Sequence, residues 1–155
     1  MSVEVGDKAP DFSLPADGGR RVSLRALKGK AVVLYFYPKD DTPGCTAEAC
    51  GFRDALPDFS KVKAEIVGVS RDSVASHDKF KQKFGLPFPL ASDEDGKVCQ
   101  AYGVWVEKSM YGKKYMGIER STFVIDGKGV IRKVWRKVKV DRHADQVLEA
   151  AEALK

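Results

Sequence analysis

The stretch Tyr35-Phe36-Tyr37-Pro38-Lys39-Asp40-Asp41-Thr42-Pro43-Gly44-Cys45-Thr46-Ala47-Glu48-Ala49-Cys50 joins an apolar run to a run of helix formers. Upstream, Ala31 to Tyr37 is rich in β-branched and aromatic residues, the mark of a buried strand. Downstream, Thr46 to Leu56 reads as a helix, with Ala47, Glu48, Ala49 and Leu56 as good formers. The join is a helix start. Thr42 is a candidate N-cap, and Pro43 suits the first helical position, where no N–H is needed. Cys45 then falls in the first turn, among unpaired backbone N–H groups at the positive end of the helix dipole. Such a setting favours a thiolate at neutral pH. Cys50 supplies a second thiol five residues on. Pro57 is expected to end or kink the helix.

The chain on either side supports an α/β reading. Asp11–Leu14 and Arg21–Leu24 flank the turn cluster Pro15–Gly19, which predicts a small N-terminal β-hairpin. Leu24 to Leu27 fits one helical turn. Ala64–Ser70 is a second core strand. Asp72 or Ser73 can cap a helix that runs to Phe84 and stops at Gly85. Phe88–Ala91 is short and extended, and Lys97–Tyr102 a short helix. Extended structure restarts at Gly103–Glu107. Lys108–Gly117 reads as a basic, aromatic loop with Met110, Tyr111, Tyr115 and Met116. Together with Trp105, these side chains either edge a substrate or partner surface or serve core and loop packing. Ser121–Asp126 and Val130–Trp135 flank Gly127-Lys128-Gly129, a hairpin signal. Asp141 is the candidate cap of a last helix with Val147, Leu148, Ala151 and Leu154 on one face. The expectation is one domain over residues 1–155, a central mixed sheet flanked by helices.

Composition narrows the function classes. The 155 residues are 43% hydrophobic and 32% charged, within the range of a globular chain. No apolar run approaches the roughly 20 residues of a membrane span. The N-terminus lacks the apolar core of a signal peptide, so cytoplasmic residence is expected. Three cysteines are too few for a secreted disulfide framework. His77 and His143 stand in no metal-type spacing, and no structural metal is expected. The net charge of +5 is concentrated in Arg132, Lys133, Arg136, Lys137, Lys139 and Arg142, with Asp141 the single acid among them. Such a run is compatible with nucleic-acid binding, but a solvated strand and turn explains it more simply.

The strand, the spacing of Pro38, Thr42 and Cys45, and the gap to Cys50 resemble the peroxiredoxins. The phrase Tyr37-Pro38-Lys39-Asp40-Asp41-Thr42-Pro43-Gly44-Cys45-Thr46 is similar to their bacterioferritin-comigratory-protein, or PrxQ, branch. The resemblance extends from Val5-Gly6-Asp7-Lys8-Ala9-Pro10-Asp11-Phe12 to the last helix. It implies a thioredoxin-like fold and a thiol peroxidase that needs no haem, flavin or metal. Cys45 would be the nucleophile, with Thr42 offering its hydroxyl and Pro38 shielding the thiol from water. Arg120 precedes Ser121-Thr122-Phe123, which resembles the family's strand carrying an active-site arginine. Arg53, eight residues beyond Cys45 on the same helix, is the other candidate cation.

Cys50 is the candidate resolving thiol, and helix geometry makes a demand of it. Residues five apart in a helix have Cα atoms about 8.6 Å apart. A disulfide tolerates little beyond about 7 Å. Either the first turns unwind on oxidation, or Cys50 is not the partner. Cys99 reads as a buried apolar residue, with a secondary resolver or a stray reactive thiol as the alternative. The resemblance further implies a peroxide substrate, thioredoxin or a similar dithiol reductant, and action as a monomer. The rival readings are a thioredoxin-type thiol–disulfide oxidoreductase and a basic nucleic-acid-binding module. The first would want Cys-x-x-Cys where this chain has Cys-x-x-x-x-Cys.

Overall fold

The computed structural model describes residues 3–154. Strands β1 (Ser13–Pro15) and β2 (Arg21–Ser23) form the N-terminal antiparallel hairpin. The chain then runs through β3 (Ala31–Phe36), α1 (Pro43–Lys61), β4 (Ala64–Ser70), α2 (Val74–Phe84), β5 (Leu90–Ser92) and α3 (Lys97–Ala101). It continues through β6 (Trp105–Met110), β7 (Lys113–Ile118), β8 (Ser121–Ile125), β9 (Ile131–Trp135) and α4 (His143–Glu152). The central sheet has the order β5-β4-β3-β8-β9. β3, β4 and β5 are parallel, and β8 and β9 are antiparallel to their neighbours. This is the mixed α/β sheet the sequence predicts.

β3 lies in the middle of the sheet and is buried on both faces. Its side chains alternate between two cores, as strand geometry requires. Val33, Tyr35 and Tyr37 pack with Phe52 and Phe59 of α1 and Val147 of α4. Val32, Leu34 and Phe36 pack with Phe12, Tyr102 and Phe123 on the opposite face. A strand covered on both faces reads as an unbroken apolar run, as Ala31–Tyr37 does.

Three expectations are corrected. α1 does not end at Pro57 but continues to Lys61. A proline inside a helix costs about 3 kcal/mol. Phe59, fully buried beyond it, returns roughly 2–3 kcal/mol of apolar transfer. Lys108–Gly117 is not a loop: it lies almost wholly in the hairpin of β6 and β7, paired from Trp105↔Ile118 to Met110↔Lys113. Tyr111 and Gly112 form its turn with left-handed φ values of 52° and 78°. Most of its side chains face solvent, so no apolar alternation reveals the strands. Asp141 does not cap α4. Arg142 occupies the N-cap with φ 58°, and its side chain makes no capping hydrogen bond. Asp145 instead places a negative charge near the helix start.

Candidate active site

β3 hands over to α1 at one end of the sheet. Thr42 is extended (φ −100°, ψ 155°) at the N-cap and Pro43 opens the helix. The first intrahelical bond runs from the Thr46 N–H to the Thr42 carbonyl at 2.8 Å. The N–H groups of Gly44 and Cys45 therefore precede the ladder, where a negative charge is stabilised. The Cys45 side chain is buried at this point, 1% exposed. Thr42 does not cap through its side chain. Its hydroxyl donates to the Lys39 carbonyl at 2.9 Å, leaving the oxygen's lone pairs as acceptors.

Arg120 reaches the same point from β8. Ser121 pairs with Phe36 across the antiparallel β3–β8 ladder, so the residue before β8 emerges where β3 ends. Arg120 Nη2 donates to Cys45 Sγ at 3.3 Å, and its Nη1 donates to Glu48 Oε1 at 2.7 Å. Gly44 makes room for this approach. A Cβ on residue 44 would stand 3.0 Å from Arg120 Nη2. Arg53 is committed elsewhere, donating to the Phe84 carbonyl at 2.7 Å and to Asp54 at 3.0 Å.

Glu48 is the residue the sequence reading missed, taking it only as a helix former. It stands one turn beyond Cys45 and is 3% exposed. Oε2 has no partner among the described residues. Burial raises its pKa to about 7, with Arg120 pulling the other way. Burial opposes the charge on Arg120, but Glu48 and Cys45 outweigh it and hold that pKa above its ordinary value. A signal was present: an acid three residues after a first-turn cysteine shares its helix face.

The raised pKa has a sign. A group whose folded pKa exceeds its unfolded one stabilises the fold below the unfolded value, and that stability is lost as pH rises through the folded one. For Glu48 the window runs from the ordinary glutamate value of 4.5 to about 7. Urea unfolding should show the parent losing roughly 2–3 kcal/mol relative to Glu48→Gln between pH 5 and pH 8. Parallel stability profiles for the two proteins would mean that Glu48 ionises normally.

The loop between β3 and α1 is held from behind. Tyr37 Oη donates to Asp40 Oδ1 at 2.6 Å. Asp40 Oδ2 accepts from Ser76 Oγ at 2.8 Å and lies 2.7 Å from His77 Nδ1. The Asp40 N–H donates to Asp72 Oδ2 at 2.8 Å. Asp40, Asp72 and His77 form a cluster of metal-ligand type, with ligand atoms within 4.8 Å of one another. Those atoms are engaged in this hydrogen-bond network. Asp72 is thus spent on the loop, and Ser73 caps α2, accepting from the Ser76 N–H at 3.1 Å. Pro38 lines one wall of a cleft of about 350 Å³ beside the site.

Cys50 lies half-buried on α1, and all three cysteines are free thiols. Both Cys45 and Cys50 fall within the unbroken helix Pro43–Lys61, so the helical spacing argument applies to this state. Cys99, on α3, is fully buried, as the sequence predicts. Its N–H donates to Asp93 at 2.8 Å, and burial together with that carboxylate pushes its thiol far up. His143 is buried 2.8 Å from the Thr122 hydroxyl, and burial lowers its pKa to about 4.

The AhpC/TSA family model matches residues 5–134. The chain belongs to the AhpC/TSA family. It is 54% identical to the Bacillus subtilis peroxiredoxin Bcp over 149 residues, covering 96% of this chain and 95% of that protein. It is 45% identical to the Escherichia coli peroxiredoxin Bcp over 146 residues, 94% of each. A structure of the Xanthomonas campestris bacterioferritin comigratory protein, described for its alkyl peroxide reduction activity, superposes with a TM-score of 0.90. That pair is 51% identical and covers 98% of this chain and 97% of that one. A cysteine-to-serine variant of Xylella fastidiosa PrxQ gives a TM-score of 0.94 at 42% identity, covering 99% and 98%.

The chain is a peroxiredoxin of the bacterioferritin-comigratory branch, with the thioredoxin-like fold, and a thiol-dependent peroxidase. The peroxiredoxin spends part of its basic segment on internal contacts. Arg136 donates to the carbonyls of Val3, Tyr102 and Gly103 and lies over the Phe123 ring. Arg132 pairs with Asp126 at 3.2 Å. The six cations of 132–142 thus form no single free stripe. No helix among the described residues is long and apolar enough to cross a membrane.

Proposed function

We propose that Cys45 is the peroxidatic thiol, Cys50 the resolving thiol, and Arg120 the cation that holds the thiolate and the peroxide. The observation that carries this is the 3.3 Å contact of Arg120 with Cys45 Sγ at a helix start. The Cys45 thiolate attacks the terminal oxygen of a hydroperoxide. The O–O bond breaks, a sulfenic acid forms, and the departing alkoxide or hydroxide takes a proton. Arg120 stabilises the negative charge that builds on the departing oxygen. Thr42 Oγ1 accepts from the peroxide O–H and orients it. Pro38 keeps water from the thiol. Hydrogen peroxide and organic hydroperoxides are both substrates.

Cys50 then attacks the sulfenic sulfur. An S–S bond forms and water leaves with the Cys50 proton. A dithiol protein, thioredoxin, restores both thiols by exchange. No haem, flavin or metal takes part. Both thiols come from one chain, so the unit of catalysis is a monomer. We place it in the cytoplasm, as a single domain.

Peptide mapping tests the assignment of Cys50. Trypsin cuts after Lys39 and Arg53, leaving Cys45 and Cys50 together in residues 40–53. It also cuts after Lys97 and Lys108, isolating Cys99 in residues 98–108. After one equivalent of peroxide, blocking and digestion, the first peptide should be two hydrogens lighter and uncrosslinked, with Cys99 blocked. A crosslink between the two peptides would make Cys99 the resolver. Oxidation should also speed amide exchange over residues 43–52 while β3 and β4 stay protected. Equal protection in both redox states would exclude the Cys45–Cys50 bond.

A further inference from the structure

The exposed apolar side chains of this protein are not scattered. Five large hydrophobic residues are exposed among those described: Val5, and Met110 (56%), Tyr111 (98%), Tyr115 (44%) and Met116 (49%). The last four all lie on the β6–β7 hairpin and its turn. Tyr111 carries two costs at once. Its ring is almost wholly in water, and its backbone is left-handed, a conformation that bulky residues avoid and that asparagine or glycine takes readily. A local cost of this kind at a loop tip points to function rather than to folding.

The hairpin also borders the active site. Tyr115, Met116 and Lys108 share the 350 Å³ cleft with Pro38, Lys39 and Arg71. Lys108 lies within electrostatic reach of the reacting groups: burial and then Arg120 depress its pKa, while Cys45 and Glu119 partly restore it. Cations outnumber acids here. Lys108, Lys113 and Lys114 stand against Glu119 and Glu107, the latter 3.8 Å from Lys114, and Lys39 and Arg71 add to the far wall. Aromatic and methionine side chains ringed by cations are the composition of a protein-binding surface.

We propose that the β6–β7 hairpin is the docking surface for the dithiol protein that reduces the oxidised enzyme, and that this partner presents an apolar redox face rimmed by acidic side chains. The inference rests on the peroxidase reading above and adds the place where the reductant binds. Tyr111 is the anchor at the tip, Met110 extends the apolar contact, and Lys113 and Lys114 steer the acidic partner. The exchange balances without further reagents. One thiolate of the partner attacks the enzyme disulfide to give a mixed disulfide, and its second thiol releases the enzyme with both cysteines reduced.

The test uses the full chain with NADPH, a bacterial thioredoxin and its reductase. Tyr111→Asn removes the ring but suits the left-handed turn, so the hairpin keeps its fold and its melting temperature does not fall. Met110→Thr/Lys113→Glu is the second variant. In both, kcat/KM for thioredoxin should fall about tenfold. Turnover with dithiothreitol, and the oxidation rates with hydrogen peroxide and cumene hydroperoxide, should match the parent. Added salt should raise the KM for thioredoxin in the parent more than in the Met110→Thr/Lys113→Glu variant. An unchanged kcat/KM for thioredoxin overturns the proposal. So does a selective loss of cumene hydroperoxide turnover, which would make the hairpin a binding site for the alkyl tail. A concentration-dependent increase in mass of the parent, lost in Tyr111→Asn, would make it a contact between copies and also overturn the proposal. If the parent consumes no peroxide even with dithiothreitol, the peroxidase reading itself has failed, and this inference with it.

Discussion

Cys45→Ser loses all measurable peroxide turnover, whether dithiothreitol or a thioredoxin system supplies the electrons, while Cys99→Ser keeps most of it. The expectation follows from placement. Cys45 alone of the three cysteines sits at a helix start with a guanidinium on its sulfur. Cys99 is fully buried, and its carboxylate neighbour disfavours the thiolate. A serine hydroxyl cannot replace a thiolate against an O–O bond, because at neutral pH it is not ionised. NADPH consumption coupled to peroxide measures the effect. Turnover near the parental rate in Cys45→Ser would overturn the site.

The second large effect belongs to Arg120. Arg120→Ala should slow the reaction of the reduced enzyme with hydrogen peroxide by about 10²–10³-fold, the range found when one charge-stabilising donor is removed. Arg120→Lys should recover part of the loss, since an ammonium carries the charge but not the fork of donors that spans Sγ and Glu48. Stopped-flow rates across pH decide the matter. The alanine variant also leaves Glu48 buried without its counter-ion, which destabilises the fold and drives the acid toward its protonated form. Arg120→Ala/Glu48→Gln separates the two consequences: stability returns and the rate does not. An unchanged rate constant in Arg120→Ala would remove the arginine from the reaction.

Much of this was legible in the sequence because local chemistry and tertiary structure agree there. The apolar run before Pro38, the Thr42-Pro43 start and the position of Cys45 each encode their own conformation. Arg120 required more: spacing made it only a charge at a strand end, and family likeness singled it out. Glu48 was hidden because its partner lies 72 residues away and its burial depends on how β8 is seated beside β3. Asp40 and His77 were hidden in the same way, each a polar residue whose partner comes from another element. The second half of β6 and all of β7 escaped because strands wet on most of their surface show no apolar period. At Pro57 the rule against interior proline was offset by the burial of Phe59, a tertiary gain that no local reading contains.

α1 is 19 residues long, and the thiols occupy only its first eight positions. Phe52 and Phe59 fasten the remainder to the sheet, and the Asp40 network fastens the chain just ahead of Thr42. In the cycle proposed above, a disulfide therefore melts a short segment clamped at both ends. When it is reduced, the lost turns regrow on an existing helical end, so the slow nucleation step of an isolated helix is bypassed. Helix–coil relaxation takes about 0.1–1 μs, so recoiling is faster than any encounter with a reductant at cellular concentration. The pace of the reductive half of the cycle is then set by collisions and thiol exchange, and rewinding the helix adds no delay of its own.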